Sequence, residues 1–182
     1  TAVKNEKGAG VFDGSAVIAF SAAGTGLTPI AAVADATGKG TLDIQRVHLS
    51  KFAPEVFASR IQTISSADDL RAAMAALQSG SAFALPDKSI PFSFSNGRVT
   101  LDPVVITGSN TETSINAEAD LVEQTVSASL QLKLKTPAGL PPVKLQVAGL
   151  PQAVRQRLET SELAGKLGFE IMAREMAELE RV

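Results

Sequence analysis

The sequence contains no cysteine, no tryptophan and no tyrosine, and it has a single histidine. The absence of cysteine excludes disulfides, thiolate metal sites and cysteine nucleophiles. Tyrosine and tryptophan usually supply the hot spots of protein recognition and the platforms for sugar stacking, so sites built on them are excluded too. Apolar contacts must therefore come from aliphatic residues and from eight phenylalanines.

An excess of charge is also lacking, because the 182 residues carry a net charge of −2 and the isoelectric point is near 5.5. A nucleic-acid partner is not expected, since nothing in this composition would follow a phosphate backbone. No apolar run approaches the ~20 residues that span a bilayer, and no segment resembles a signal peptide. The chain begins with Thr1, and we expect it to be a piece of a longer protein, with a processed chain as the alternative.

What the sequence does contain is a series of segments in which apolar and polar residues alternate. The clearest runs from Val126 to Lys135, and others lie at 92–94, 115–121 and 143–147. A period of two places successive side chains on opposite faces of a strand, so each strand has one apolar face. Several such strands joined by short turns form an antiparallel meander with one apolar side. That side must be covered by the protein itself or by something it carries.

Three short amphipathic helices are predicted near residues 28–36, 51–64 and 67–79. Thr28 followed by Pro29 has the pattern of a helix start, Ser66 with Asp69 forms a capping box, and Gly80 is a helix stop. Such helices are too short to be stable alone and should lie on the sheet. The predicted fold class is α+β: a curved, partly open antiparallel meander with these helices on its apolar face and a C-terminal helix.

The switch to helical periodicity predicts a boundary between a β-rich domain at 1–149 and a C-terminal helical segment at 150–182. Pro151 is predicted to begin a short helical piece that carries Val154 and Leu158. A stripe for interaction then follows at Phe169, Met172, Met176 and Leu179. Leu163, Leu167 and Ile171 form a second stripe on another side of the helix. The interaction stripe is expected to dock on the open sheet or on a second copy, and ordinary packing within the chain is the alternative.

Residues that could carry chemistry have simpler explanations. His48 stands at the end of a predicted strand, and no motif places a nucleophile or an acid beside it. Asp68 and Asp69 lie in the first turn of a helix, where the helix dipole favours negative charge. The sequence therefore predicts no catalytic site, no metal site and no cofactor.

The segment Gly26-Leu27-Thr28-Pro29, followed by Gly38-Lys39-Gly40-Thr41-Leu42, resembles the AsmA family. In that family a Gly-x-Ser/Thr-Pro segment leads a short helix, and a Gly-x-Gly/Ala-x-Leu strand follows. The stretch from Phe92 to Leu134 is similar to the family's late strands, and the resemblance covers most of residues 11–147. It implies the C-terminal region of a Gram-negative envelope protein that faces the periplasm and is anchored to the inner membrane. It also implies a role in outer-membrane biogenesis and kinship with bridge-like lipid-transfer proteins.

The function expected from the residues and the resemblance together is a non-enzymatic module that shields or passes phospholipid acyl chains along a groove. The expected lipid-binding residues are Phe92, Phe94, Val99, Leu101, Ile115, Val126, Leu130, Leu132, Val143 and Leu145. The alternative is a structural or protein-interaction cap with no lipid ligand. Expected partners are phospholipid, the rest of a longer chain and a second copy bound through the C-terminal helix.

Overall fold

The structure is a computed structural model, and it describes residues 3–4, 10–79 and 83–180. Within these residues there are eleven strands and four helices. The strands are β1 Val3–Lys4, β2 Gly10–Ala23, β3 Thr37–Leu49, β4 Phe83–Ala84, β5 Lys88–Ser95, β6 Arg98–Leu101, β7 Val104–Thr107, β8 Thr111–Asp120, β9 Thr125–Leu134, β10 Val143–Leu150 and β11 Ala153–Glu159. The helices are α1 Pro29–Asp35, α2 Pro54–Ile61, α3 Ala67–Ser79 and α4 Ser161–Leu179. Gly80, the predicted helix stop, lies outside the described residues.

All strands belong to one antiparallel sheet in the order β1-β2-β3-β5-β6-β8-β9-β10-β11, with β4 paired to β3 and β7 paired to β8. Each strand along this path follows its neighbour in the chain, apart from the two short additions. No pairing among the described residues joins β1 to β11, so the sheet is open. The predicted α+β class, with an open antiparallel sheet and a C-terminal helix, is confirmed.

Local sequence signals determine several of the turns and helix starts. Asn96 and Gly97 have φ values of 51° and 73°, as a type I′ turn between β5 and β6 requires. Thr28 caps α1 by accepting a hydrogen bond from the N–H of Ala31, and Pro29 occupies the first turn of the helix. These two signals set the connection from β2 to α1 and the turn from β5 to β6.

The start of α3 is a reciprocal capping box. The N–H of Asp69 donates to Ser66 Oγ at 3.1 Å, and the N–H of Ser66 donates to Asp69 Oδ2 at 3.0 Å. The hydroxyl and the N–H of Ser65 donate to the same carboxylate oxygen. Hydrogen bonds from Ser65, and then from Ser66, hold the pKa of Asp69 below its usual value of 3.8.

This lowered pKa predicts a pH-dependent contribution of Asp69 to stability. The ionised carboxylate stabilises the fold above pH 3.8, and that stabilisation is lost as the pH falls through the lower pKa of the folded state. We expect Asp69→Asn to lower the melting temperature at neutral pH, and we expect the difference to shrink in acid. Asp68→Asn is the control, because Asp68 instead forms an exposed ion pair with Arg71. A difference that stays constant with pH would contradict this role for the Asp69 charge.

The strand register places the apolar side chains of neighbouring strands on one face. Ile115 lies opposite Leu130, and Leu130 lies opposite Leu145. Phe92 lies opposite Leu101 at the other side of the sheet. Directly opposed residues of antiparallel strands share a face, so these rows form one continuous apolar surface, the inner face. A slip of one residue would turn this whole set to the outside.

The sheet curves strongly around the inner face. Leu42 of β3 and Leu130 of β9 line a single cavity of about 190 Å³. These strands are separated by four strand spacings, a distance of ~19 Å in a flat sheet. The inner face is therefore concave.

Helices cover only one part of the concave inner face. Phe57 of α2, Leu77 of α3 and Leu163 of α4 are fully buried in one cluster with the inner residues of β9 and β10. Helix α1 buries none of its residues. The expectation that the predicted helices lie on the apolar face therefore holds for α2 and α3, whereas α1 adds no residue to the core.

Residues 153–159 form a strand, which corrects the prediction that the whole of 150–182 is helical. Strand β11 pairs antiparallel with β10, with Leu158 opposite Leu145 and Val154 opposite Gly149. Residues four apart share a face in a strand as well as in a helix, so the spacing of Val154 and Leu158 did not distinguish the two. Helix α4 begins at Ser161.

An apolar trough as the candidate functional site

The part of the inner face that α2, α3 and α4 leave uncovered contains two adjoining apolar cavities. The outer cavity has a volume of about 300 Å³ and is lined by Ile18, Phe20, Leu42, Phe92, Phe94, Val99, Leu101, Ala119 and Leu121. The inner cavity, of about 190 Å³, shares Leu42 and Leu101 with it and extends past Ile44 and Ile115 to Leu130. The two cavities together are termed the trough. It runs from the exposed rim of β2 toward the covered core.

Glycines in β3 shape the floor of the trough. Gly38 and Gly40 lie on the inner face opposite Phe94 and Phe92. A Cβ atom on Gly40 would lie 2.5 Å from Cζ of Phe92, so the phenyl ring occupies the space above the glycine. Glycine at this point therefore leaves room for a large aromatic side chain against the strand.

The lining is chemically uniform. The described lining residues present only apolar atoms to the two cavities. This includes Asp102, which borders the inner cavity. The nearest ion pair at the outer end, between Arg98 and Asp120 at 3.4 Å, involves outward-facing positions of β6 and β8. The trough can therefore exclude water from an apolar ligand, but its lining offers no group that would read a polar head.

The rim of the trough is exposed on the side of β2. Ile18 is 60% exposed and Phe20 is 67% exposed, while Leu121 on the opposite side is 47% exposed. Phe92 and Phe94, deeper in the trough, are buried. Large apolar side chains that stay exposed to water cost free energy, and a ligand that covers them removes this cost. Exposed apolar surface of this kind is therefore typical of a binding groove.

The structure places all ten predicted groove residues on the inner face but divides them into two groups. The inner cavity is lined by Ile115 and Leu130. The outer cavity is lined by Phe92, Phe94, Val99 and Leu101. Leu132, Val143 and Leu145 are buried in the core with the helices, and Val126 packs against that core. Leu132, Val143 and Leu145 therefore stabilise the domain and are not accessible to a ligand, whereas Val126 is only partly buried.

Residues of β2 and β3 complete the trough and were not among the predicted groove residues. Ile18, Phe20 and Leu42 line the outer cavity. The signal was present in the sequence for Phe20 and Leu42, because these residues alternate with small or polar neighbours as those of the later strands do, whereas Val17 obscures the alternation at Ile18. The long insertion of α2 and α3 between β3 and β5 hid the fact that these two strands are hydrogen-bonded neighbours.

Two buried polar groups interrupt the inner face on its covered side. Thr113 Oγ1 and Gln156 Nε2 are buried without a hydrogen-bond partner among the described residues. Thr113 lies opposite Leu132, and Gln156 lies opposite Val147. Neither residue lines the trough, so they do not alter its apolar character.

The C-terminal helix exposes the stripe predicted for interaction. Its second stripe, made of Leu163, Leu167 and Ile171, packs in the core with exposures of 0%, 5% and 4%. The interaction stripe of α4 is 61–76% exposed at all four positions: Phe169, Met172, Met176 and Leu179. This exposure contradicts both the expected docking of the stripe on the open sheet and the alternative of ordinary packing within the chain. Docking on a second copy stays a prediction.

The residues considered above for chemistry, His48, Asp68 and Asp69, do not line the trough. His48 is exposed near the end of β3, opposite Asp13 of β2 and Ala84 of β4. The described part of the chain contains no cluster of three or more histidine, aspartate or glutamate residues that could hold a metal ion. Among the helices at 29–35, 54–61, 67–79 and 161–179, none is both long and apolar enough to cross a membrane.

Comparisons of this chain with models of protein families, with curated proteins and with solved structures gave no match. The trough is therefore interpreted from its own geometry and chemistry.

Proposed function

We propose that this domain is a non-enzymatic module that shields or passes the acyl chain of a lipid in its trough. The observation that carries the proposal is a concave, wholly apolar surface that stays open along β2 while the rest of the inner face is covered by helices. Phospholipid is the proposed source of the chain. The resemblance to the AsmA family supports a periplasmic setting and a part in outer-membrane biogenesis as elements of the same proposal.

The energetics favour an aliphatic ligand. Each methylene group removed from water contributes about 0.8 kcal/mol, so a chain that follows the trough gains affinity in proportion to the length enclosed. The lining is largely aliphatic, with Phe20, Phe92 and Phe94 at the outer end. Without polar groups in the lining, the polar head of the lipid would remain in water at the rim.

We expect Ile18→Asp to abolish binding of a fluorescently labelled palmitic acid while leaving the fold intact. The side chain of Ile18 faces the trough, so aspartate would place a charge where the acyl chain lies. Its 60% exposure limits the effect on stability to about 0.5 kcal/mol or less. Fluorescence titration measures binding, and thermal melting checks the fold.

Val17→Asp is the matched control. Val17 is the preceding residue of the same strand, is equally exposed at 60%, and lies on the opposite face of the sheet. The control should bind the labelled fatty acid as the unmodified protein does. Equal binding by both variants, or equal loss, would contradict a ligand site in the trough.

A protein-interaction cap without lipid is the second candidate function, and the exposed stripe on α4 favours it. Four large apolar side chains on one side of a helix, two of them methionine, suit a surface that contacts another protein. The two candidates differ in a simple measurement. A cap would yield no lipid in mass spectrometry after gentle extraction, whereas the proposed module would carry phospholipid.

A further inference from the structure

A pair of alanines interrupts the rows of large side chains on the inner face. Ala117 of β8 lies directly opposite Ala128 of β9, and both residues line the inner cavity. The neighbouring pair on the same two strands, Ile115 and Leu130, consists of two large residues. Opposed residues of antiparallel strands share a face, so the alanine pair leaves a space above the sheet that larger side chains would fill.

This space is large enough for part of an apolar ligand. The volume of the inner cavity is about 190 Å³. Apolar cavities of ~150 Å³ in proteins stay free of water and bind small hydrocarbons such as benzene. None of the described lining residues of the inner cavity belongs to β2, so the cavity does not depend on the exposed rim.

The two cavities of the trough follow one another along strand β8. Ala119, and Leu121 just beyond the end of the strand, line the outer cavity. Ala117 and Ile115 line the inner cavity. Alternate residues of a strand share a face, and each residue advances the strand by ~3.4 Å. The trough is therefore ~20 Å long between Leu121 and Ile115.

The trough ends at the pair formed by Ile115 and Leu130. Leu130 is 2% exposed and belongs to the helix-covered core. Thr113 and Leu132, the next opposed pair, are each 1% exposed and line neither cavity. An acyl chain that lies along β8 would therefore stop at Ile115.

We propose that the inner cavity holds the methyl end of the acyl chain, and that Ala117 and Ala128 determine how long a chain the trough encloses. An extended chain with C–C bonds of ~1.5 Å advances ~1.3 Å per carbon, so a trough of ~20 Å encloses roughly 16 carbons. The ligand class is therefore a single long-chain acyl group. This inference rests on the proposed lipid function, but the two can fail separately.

Two probes that differ only in chain length test the inference. One carries an octanoyl chain and the other a palmitoyl chain, each with the same dye at the carboxyl end. The octanoyl chain spans ~9 Å and ends before the inner cavity, whereas the palmitoyl chain reaches into it. Each enclosed methylene raises the affinity about fourfold, so the palmitoyl probe should bind the unmodified protein about tenfold more tightly or better.

Replacing Ala117 by phenylalanine should remove most of this preference. The phenyl ring would fill the inner cavity, so we expect Ala117→Phe to weaken the palmitoyl probe by about tenfold or more and the octanoyl probe by less than about twofold. Filling an apolar cavity should leave the melting temperature unchanged or raise it. Ala128→Leu, a smaller change from the opposite strand, should act in the same direction and serves where Ala117→Phe fails to fold.

Two controls establish the depth at which the chain is measured. Ala119→Phe, on the same strand and face but nearer the rim, should weaken both probes because both chains pass this position. Ala148→Phe should weaken neither, because Ala148 of β10 points to the outer face.

The outcomes distinguish the inference from the function on which it rests. If folded Ala117→Phe or Ala128→Leu kept the full preference for the palmitoyl probe, or weakened both probes equally, the role of the alanine pair would be overturned and the trough would remain a lipid site. If the unmodified protein bound neither probe, the proposed function itself would be overturned.

Discussion

Replacing Leu130 by glutamate is expected to destabilise the domain by about 4 kcal/mol or more. Leu130 is 2% exposed and lies between Ile115 and Leu145, where the inner end of the trough meets the helix-covered core. A carboxylate at this position loses its hydration and gains no charged or polar partner from its apolar neighbours. Chemical denaturation of the purified variant measures the loss, which should appear as a lower midpoint or as a failure to fold.

Two controls test whether the loss of stability comes from burying a charge. One changes the residue without adding a charge, and the other adds the charge at an exposed position. Leu130→Met conserves volume and should cost less than about 1.5 kcal/mol. Ile18→Glu places the same charge on the same face, but at a 60% exposed position, and should leave the denaturation midpoint nearly unchanged. If Leu130→Glu also left the midpoint unchanged, the helices would not cover this part of the sheet.

Removing α4 by ending the chain at Glu159 is expected to have an effect of similar or larger size. The helix contributes the fully or almost fully buried Leu163, Leu167 and Ile171 to the core. Burial of three such side chains contributes on the order of 5–9 kcal/mol, comparable to the whole stability of a typical domain. The shortened chain should lose its cooperative thermal transition and bind a hydrophobic dye.

The matched control for this truncation keeps α4 and changes only its exposed stripe. Serine at Phe169, Met172, Met176 and Leu179 should leave the thermal transition close to that of the unmodified protein, because these side chains are mostly in solvent. A truncated chain that melts like the full one and binds no dye would show that α4 covers nothing. In that case the placement of Leu167 in the core would be wrong.

The strands were predictable from the sequence because their signals are local. Alternation places Val126 and Leu130 on one face without knowledge of any neighbour, and Asn96-Gly97 determines its own turn. The same holds for the cap at Thr28 and the capping box at Ser66. In each case the residues that make the structure stand within a few positions of one another.

The extent of the trough was less predictable because it depends on where the helices lie. An amphipathic helix has an apolar stripe, but nothing in that stripe specifies which strands it will cover. In α4 the stripes through Leu167 and through Met172 have similar spacing and composition, so the sequence did not show which one would be buried. Strand β11 was missed for a related reason, since Val154 and Leu158 fit both periods.

The unequal distribution of buried residues implies that local stability is uneven within one continuous sheet. Strands β9 and β10 share a core with three helices. Strand β2 from Ser15 onward and helix α1 contain no buried side chain. Segments with few buried contacts open at lower free energy than the core. We therefore expect the rim of the trough to open locally while the covered half stays folded, so that the acyl chain proposed as ligand could exchange without unfolding of the domain.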